Sequence, residues 1–230
     1  PALAELYKLT VEDIERITTL SAKKLFGIAQ SDTKPEIAYV IRNSLYLNIT
    51  SRCPNKCVFC SRETAPYVKG HYLGTDSEPT VEELKDAIGD PSGYDEVVFC
   101  GFGESTERLD VLKEIAGYLK EKGSKVRLDT NGLGDLINGR SISEELKGLV
   151  DTICISLNTN IEEEYQKLCH SEYDDQAYPA LISFIKSARD YIPDVMISIV
   201  GMPEIDVEAC RKIAEDLGVR FRVREYNNVG

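Results

Sequence analysis

Apolar positions along the chain recur with two distinct periods. From Leu3 to Phe26, the residues Leu6, Leu9, Ile14, Ile17, Leu20 and Leu25 fall at helical spacings, which predicts an amphipathic helix. Thr10 and Asp13 read as its capping box and Gly27 as its stop. The polar run from Gln30 to Pro35 reads as a linker. It divides a helical segment, residues 1–34, from a main domain, residues 35–230.

In the main domain, short β-prone runs alternate with helical stretches. Strands are predicted over Ser44–Thr50, Glu96–Gly101, Lys125–Thr130, Thr152–Leu157, Val195–Gly201 and Arg220–Arg224. Helices are predicted over Thr80–Gly89, Arg108–Lys122, Ser143–Leu149, Tyr178–Tyr191 and Val207–Leu217. Six strands joined by helical crossovers imply an α/β fold, a parallel sheet curled into a partial TIM-like (β/α)6 barrel with a short N-terminal helical appendage. Loops at the strand C-termini then carry the chemistry.

With 230 residues and 42% hydrophobic content, the chain can bury one substantial core. Its 39 acidic residues against 27 basic ones give a net charge of -12 with no basic cluster, which argues against a nucleic-acid partner. No apolar run reaches membrane-spanning length and the start lacks the layout of a signal peptide, so no membrane partner and a cytoplasmic location are expected. Three of the seven cysteines fall within eight residues, a pattern for metal-bound thiolates rather than a disulfide framework.

Those three form Cys53-Pro-Asn-Lys-Cys57-Val-Phe-Cys60, directly after the first barrel strand. A C-x3-C-x2-C loop supplies three sulfurs, one fewer than the usual four ligands of an iron–sulfur cubane, so one iron stays open. A zinc site needs a fourth ligand, whereas His71 stands alone and no second cysteine pair exists. The loop, with Phe59 before its last cysteine, resembles the defining motif of radical S-adenosylmethionine (SAM) enzymes. That resemblance implies one [4Fe-4S] cluster on Cys53, Cys57 and Cys60, and SAM chelated at the open iron with Phe59 against the adenine. It further implies an external electron donor and a 5′-deoxyadenosyl radical that takes hydrogen from a substrate the sequence does not identify.

Other segments extend the resemblance. Gly101-Phe102-Gly103-Glu104 is similar to the family's Gly-Gly-Glu segment, whose carbonyls and acid bind the methionyl ammonium, with Phe102 in place of the second glycine. A glycine-rich turn carrying a solvated glutamate is the other reading of it. Asp129 and Asn131 stand where the family has pocket residues, although Asn131-Gly132 also reads as a tight turn. Ser156 and Asn158, two apart, are expected to face the ribose together, and Val200 to cover the adenine. Arg222 and Arg224 share a face of the last strand, either to hold the SAM carboxylate or an anionic substrate, or as a solvated edge. Cys100, Cys154 and Cys210 read as buried structural thiols. Cys169, beside His170, reads as a hydrogen donor, a ligand or simply a helix terminus.

Leu9–Gly27 resembles the last helix of TatD-type metal-dependent hydrolases. With the barrel it is similar to the TatD-associated radical SAM family, which implies a TatD-type hydrolase as partner or fusion. An ordinary amphipathic helix docked on the barrel is the alternative. For the whole chain, the rival class is a non-catalytic iron–sulfur electron-transfer or metal-binding module.

Overall fold

Alternating apolar residues bury one face of each strand, and sequential crossovers then stack the strands in chain order. The computed structural model describes residues 2–28, 34–64, 66–74 and 77–226. The N-terminal part holds α1 (Ala2–Tyr7), α2 (Val11–Leu25), β1 (Ala38–Ile41), β2 (Ser44–Leu47), α3 (Ser61–Thr64), β3 (Tyr67–Val68) and β4 (His71–Tyr72). There follow α4 (Val81–Ile88), β5 (Glu96–Phe99), α5 (Leu109–Glu121), β6 (Val126–Thr130), α6 (Gly134–Asn138) and β7 (Thr152–Ser156). Last come α7 (Glu162–Cys169), α8 (Ala177–Tyr191), β8 (Asp194–Gly201), α9 (Val207–Asp216) and β9 (Arg220–Glu225).

One sheet runs in the order β1-β2-β5-β6-β7-β8-β9. From β2 to β9 every pairing is parallel, and β1 adds an antiparallel edge strand on β2. The six expected strands are therefore all present as a parallel α/β sheet. On their outer face Leu47, Phe99, Leu128, Ile153 and Ile197 are fully buried against the covering helices. Each contributes roughly 1.5–3 kcal/mol of apolar burial. The opposite face is mixed: Tyr46, Arg127, Asp129 and Ser156 share it with Val98, Cys154 and Met196.

Several expectations need correction. The single helix over Leu3–Phe26 is two helices, broken at Lys8, which sits at φ 53. Thr10 then starts α2 with the expected reciprocal capping box to Asp13. The Ser143–Leu149 helix shrinks to a 3-10 turn at Glu144–Leu146. The elements β1, α3, β3, β4, α6 and α7 were not anticipated; most are too short to display a period. α7 spans eight residues but buries only Tyr165 and Cys169, so its apolar signal is thin. Most of the linker, residues 30–33, lies outside the described residues.

The appendage is fastened by polar contacts. Asp13 Oδ2 accepts the Arg42 amide at 3.0 Å, and the Arg16 guanidinium reaches the carbonyls of Lys69 (3.1 Å) and Val40 (3.2 Å). Gly70 leaves room for this arm, since a Cβ there would stand 2.6 Å from Arg16 Cγ. Among the described residues, no helix is long and apolar enough to cross a membrane.

Candidate functional site

The cysteine loop leaves the C-terminal end of β2 and crosses the mouth of the sheet. A helix leaves its last carbonyls without intrahelical donors. Here α7 offers two of them to the loop: Lys56 N–H donates to Cys169 O and Val58 N–H to Leu168 O, each at 2.9 Å. Glu172 N–H returns a bond to Pro54 O at 2.9 Å. Arg62, two residues past Cys60, reaches back to the carbonyls of Ser51 and Asn55, both at 3.1 Å. So braced, Cys53, Cys57 and Cys60 are all partly exposed and outside any disulfide.

Close approach explains the glycines after β5. A Cβ on Gly101 would stand 2.1 Å from Asn48 Oδ1, and one on Gly103 would stand 2.3 Å from Thr50 O and 2.6 Å from Arg52 O. The two loops are thus pressed together, and Glu104 N–H donates to Arg52 O at 2.8 Å. Phe102, at the family's second glycine, packs with Tyr39 and Leu73.

Glu104 is not a solvated residue of a turn; it is 3% exposed. Its Oε1 accepts the Thr106 amide (3.1 Å), the Thr106 hydroxyl (2.8 Å) and the Thr130 hydroxyl (2.8 Å). Its Oε2 accepts the Asn131 amide at 2.7 Å. Burial pushes the carboxyl above its ordinary range, opposed by the bonds from Asn131, Thr106 and Thr130. The Asn131 amide group points on to Cys53, with Nδ2 3.8 Å from Sγ, while its Oδ1 accepts Leu133 N–H at 2.9 Å. Cys53 is pushed up to about 12, by burial first and then by the Glu104 charge. Since the thiolate is the metal ligand, loading iron here must release that proton. Asp129 is engaged elsewhere, in a 2.9 Å ion pair with Arg127, which also binds Glu96 at 2.5 Å.

On the far side, Ser156 Oγ accepts from Arg224 at 3.2 Å. The Arg224 Nε is buried and has no hydrogen-bond partner among the described residues. Register sets Val200 beside Arg224 and Ser198 beside Arg222, which stays exposed. Phe59 packs against the main core from a partly exposed position.

Asn158 departs from the expected strand geometry. It lies past the end of β7 at φ 65, so the period of two that would align it with Ser156 is broken. Its Nδ2 donates to Cys169 Sγ at 3.4 Å, and its Oδ1 is buried without a partner among the described residues. The neighbouring Cys169 thiol, then burial, pushes Cys57 far above the ordinary thiol range, while the Cys57 thiol, opposed by burial, draws Cys169 down.

Among the described residues no three His, Cys, Asp or Glu side chains converge as they would on a single ion. Three thiols spread along a braced loop suit a polynuclear cluster, in which each iron takes one sulfur. Sequence reasoning missed Thr106, Thr130 and Arg62 altogether. The Cys169-His170 pair stands out in the sequence, but nothing there joins it to the cysteine loop, which the Lys56 and Val58 amides do.

The family model described as the Radical SAM superfamily matches residues 47–217. The chain belongs to that superfamily. Its members use a [4Fe-4S] cluster together with SAM. Among curated relatives, the chain is 34% identical over 151 residues to Fe-coproporphyrin III synthase of Methanosarcina barkeri, a match covering 63% of this chain and 33% of that protein. It is 24% identical over 192 residues to 7-carboxy-7-deazaguanine synthase of Methanocaldococcus jannaschii, covering 78% of this chain and 72% of that one. The chain spans 33%, 46% and 65% of the lengths of three such relatives. In fold it is similar to Streptococcus suis SuiB, solved with S-adenosylmethionine, at a TM-score of 0.58 and 17% identity over 80% of this chain and 41% of SuiB. Methylornithine synthase superposes with a TM-score of 0.55 at 16% identity, covering 80% of this chain and 53% of that one.

Proposed function

We propose that this chain is the SAM-cleaving core of a radical SAM enzyme, with one [4Fe-4S] cluster on Cys53, Cys57 and Cys60. The observation that carries the reading is the braced three-thiol loop at the C-terminal end of β2, tied through Asn131 and Glu104 to the next two strand ends. When bound, the cluster supplies one electron to the SAM sulfonium, whose cleavage gives methionine and a 5′-deoxyadenosyl radical that abstracts hydrogen from substrate.

The protein's own groups then have separable tasks. Gly101 and Gly103 let the loop after β5 approach the cysteine loop and present its carbonyls to the methionyl ammonium. Glu104 sets the position of that loop and of Asn131 through its four hydrogen bonds. Arg224, with a spare buried Nε, offers a cation for the carboxylate, with Arg222 more exposed beside it. Ser156 serves the ribose, Asn158 has only its unpartnered Oδ1 to add there, and Phe59 and Val200 flank the adenine. Asp129 faces the same lumen, held in its pair with Arg127.

Anaerobic reconstitution, then dithionite and SAM, is expected to give 5′-deoxyadenosine and methionine. A cluster that reduces but leaves SAM whole would instead favour an electron-transfer module. A narrower reading adds a TatD-type hydrolase as partner or fusion. It is supported by the resemblance of Leu9–Gly27 and by the exposure of Leu6, Leu25 and Phe26 on the appendage. Sedimentation of the two proteins together should yield a joint species, and separate boundaries would count against it.

A further inference from the structure

Asn48 lies one residue past β2 and is 1% exposed, a buried amide at the strand end from which the cysteine loop departs. Its backbone N–H donates to Ile37 O at 2.9 Å, which pins it to the chain entering β1. Both ends of its side chain are used. Oδ1 accepts the Phe102 amide at 3.2 Å, and Nδ2 donates to Leu73 O at 3.1 Å. One partner can only donate and the other only accept, so a single amide orientation satisfies both. Gly101 makes room for this side chain, since a Cβ there would stand 2.1 Å from Oδ1 and 2.8 Å from Cγ. The Phe102 ring packs with Tyr39 and Leu73, and the Tyr39 hydroxyl donates to Cys100 O at 3.0 Å. The segment from Cys100 to Phe102 is thus held at a carbonyl, an amide and a ring.

The amide that Asn48 takes belongs to the Gly101-Phe102 peptide. A trans peptide is planar, with its N–H and C=O on opposite sides, and the described residues contain no cis bond. Fixing the Phe102 N–H against Asn48 therefore turns the Gly101 carbonyl the other way, where it accepts no hydrogen bond from the described residues. We propose that Asn48 is a positioning residue for SAM, aiming that carbonyl at the methionyl ammonium. This rests on the reading of the Gly101–Glu104 segment made above. An ammonium donates hydrogen bonds and accepts none. A peptide left to rotate would present its N–H as often as its carbonyl, and a glycine pair rotates most readily. Here Asn48 and the buried Phe102 ring together remove that freedom, which accounts for a large residue at the family's second glycine.

The test uses the whole chain, reconstituted anaerobically, as wild type, Asn48→Ala and Asn48→Asp, each titrated calorimetrically with two probes. SAM carries the ammonium, whereas 5′-deoxyadenosine offers the adenine and ribose without it. Asn48→Ala is expected to bind SAM about tenfold more weakly, the scale of one hydrogen bond to a charged group, with 5′-deoxyadenosine affinity unchanged. Asn48→Asp keeps an acceptor for the Phe102 amide and should recover most of the SAM affinity. Unchanged SAM affinity in Asn48→Ala would overturn the proposal. So would an equal loss for both probes, which is what a collapsed barrel mouth gives. A second measurement needs no variant. Gly101-Phe102 is the one Gly-Phe pair in the sequence, so isotope labels on glycine carbonyls and phenylalanine amides together isolate its N–H signal. Slow hydrogen exchange of that amide is expected in the wild-type chain before cluster loading, and exchange at the rate of an open loop would refute the Asn48 contact. A loaded wild-type chain that binds neither probe would sink the SAM reading itself, and the inference with it.

Discussion

Glu104 Oε2 accepts the backbone amide of Asn131 at 2.7 Å, and this one bond joins the loop after β5 to the loop after β6. Asn131 passes the connection to Cys53 through its side-chain amide. Three strand ends are thereby coupled around a carboxylate that solvent barely reaches.

Truncating Glu104 to Ala strands the four donors that its carboxylate now satisfies. A loss of about 3 kcal/mol in stability is expected, from buried groups left without acceptors. The urea midpoint should fall with the slope unchanged. Iron should be retained and SAM affinity reduced, because the loop that presents the carbonyls loses its anchor. Unchanged affinity would show that the segment does not touch SAM.

The glycines separate packing from propensity. Gly103→Ala drives a Cβ into the carbonyls of Thr50 and Arg52, so cluster retention is expected to drop sharply with the displaced cysteine loop. Gly117, within α5, faces open space, and Gly117→Ala should raise stability by about 0.5–1 kcal/mol. Thermal melts of the two variants should move in opposite directions.

Replacing Cys53, Cys57 or Cys60 by Ala is expected to abolish cluster retention, whereas Cys210→Ala, at a buried position on α9, should leave iron content intact. Equal iron loss in all four variants would refute the ligand assignment.

Arg224→Ala should weaken SAM binding about tenfold without affecting iron, the loss expected for one charge-assisted hydrogen bond of roughly 1.5 kcal/mol. Calorimetric titration on the reconstituted protein gives the number directly. Arg222→Ala, at an exposed site, should have the smaller effect.

Asp13 makes the docking of the appendage dependent on pH. Burial works to raise its carboxyl, but the amides of Arg42 and Thr10, the Thr10 hydroxyl and the Arg16 charge outweigh it and hold it below the ordinary range. A depressed carboxyl contributes stability above its unfolded value, about 3.9, and loses it as pH falls through the lower folded value. Amide exchange in α2 should therefore accelerate below about pH 4, ahead of the barrel strands. In Asp13→Asn the same exchange should already be fast at neutral pH.

Much of this protein was legible in its residue order. The strands from Ser44 to Arg224, the capping box at Thr10, and the cysteine spacing are local patterns; each follows from chain periodicity or ligand count over a few residues. What tertiary structure alone decided are relations between segments far apart in sequence. A solvated turn stays open as a second reading of Glu104 until β6 brings Thr130 and Asn131 against it. Asn158 fits a strand face until its left-handed backbone turns it to Cys169, and only the packed structure sets the end of α7 against the cysteine loop through Lys56 N–H and Cys169 O. The physical reason is that periodicity reports which face of an element is buried, whereas hydrogen-bond partners across a barrel mouth depend on how separate elements meet, which no local pattern encodes.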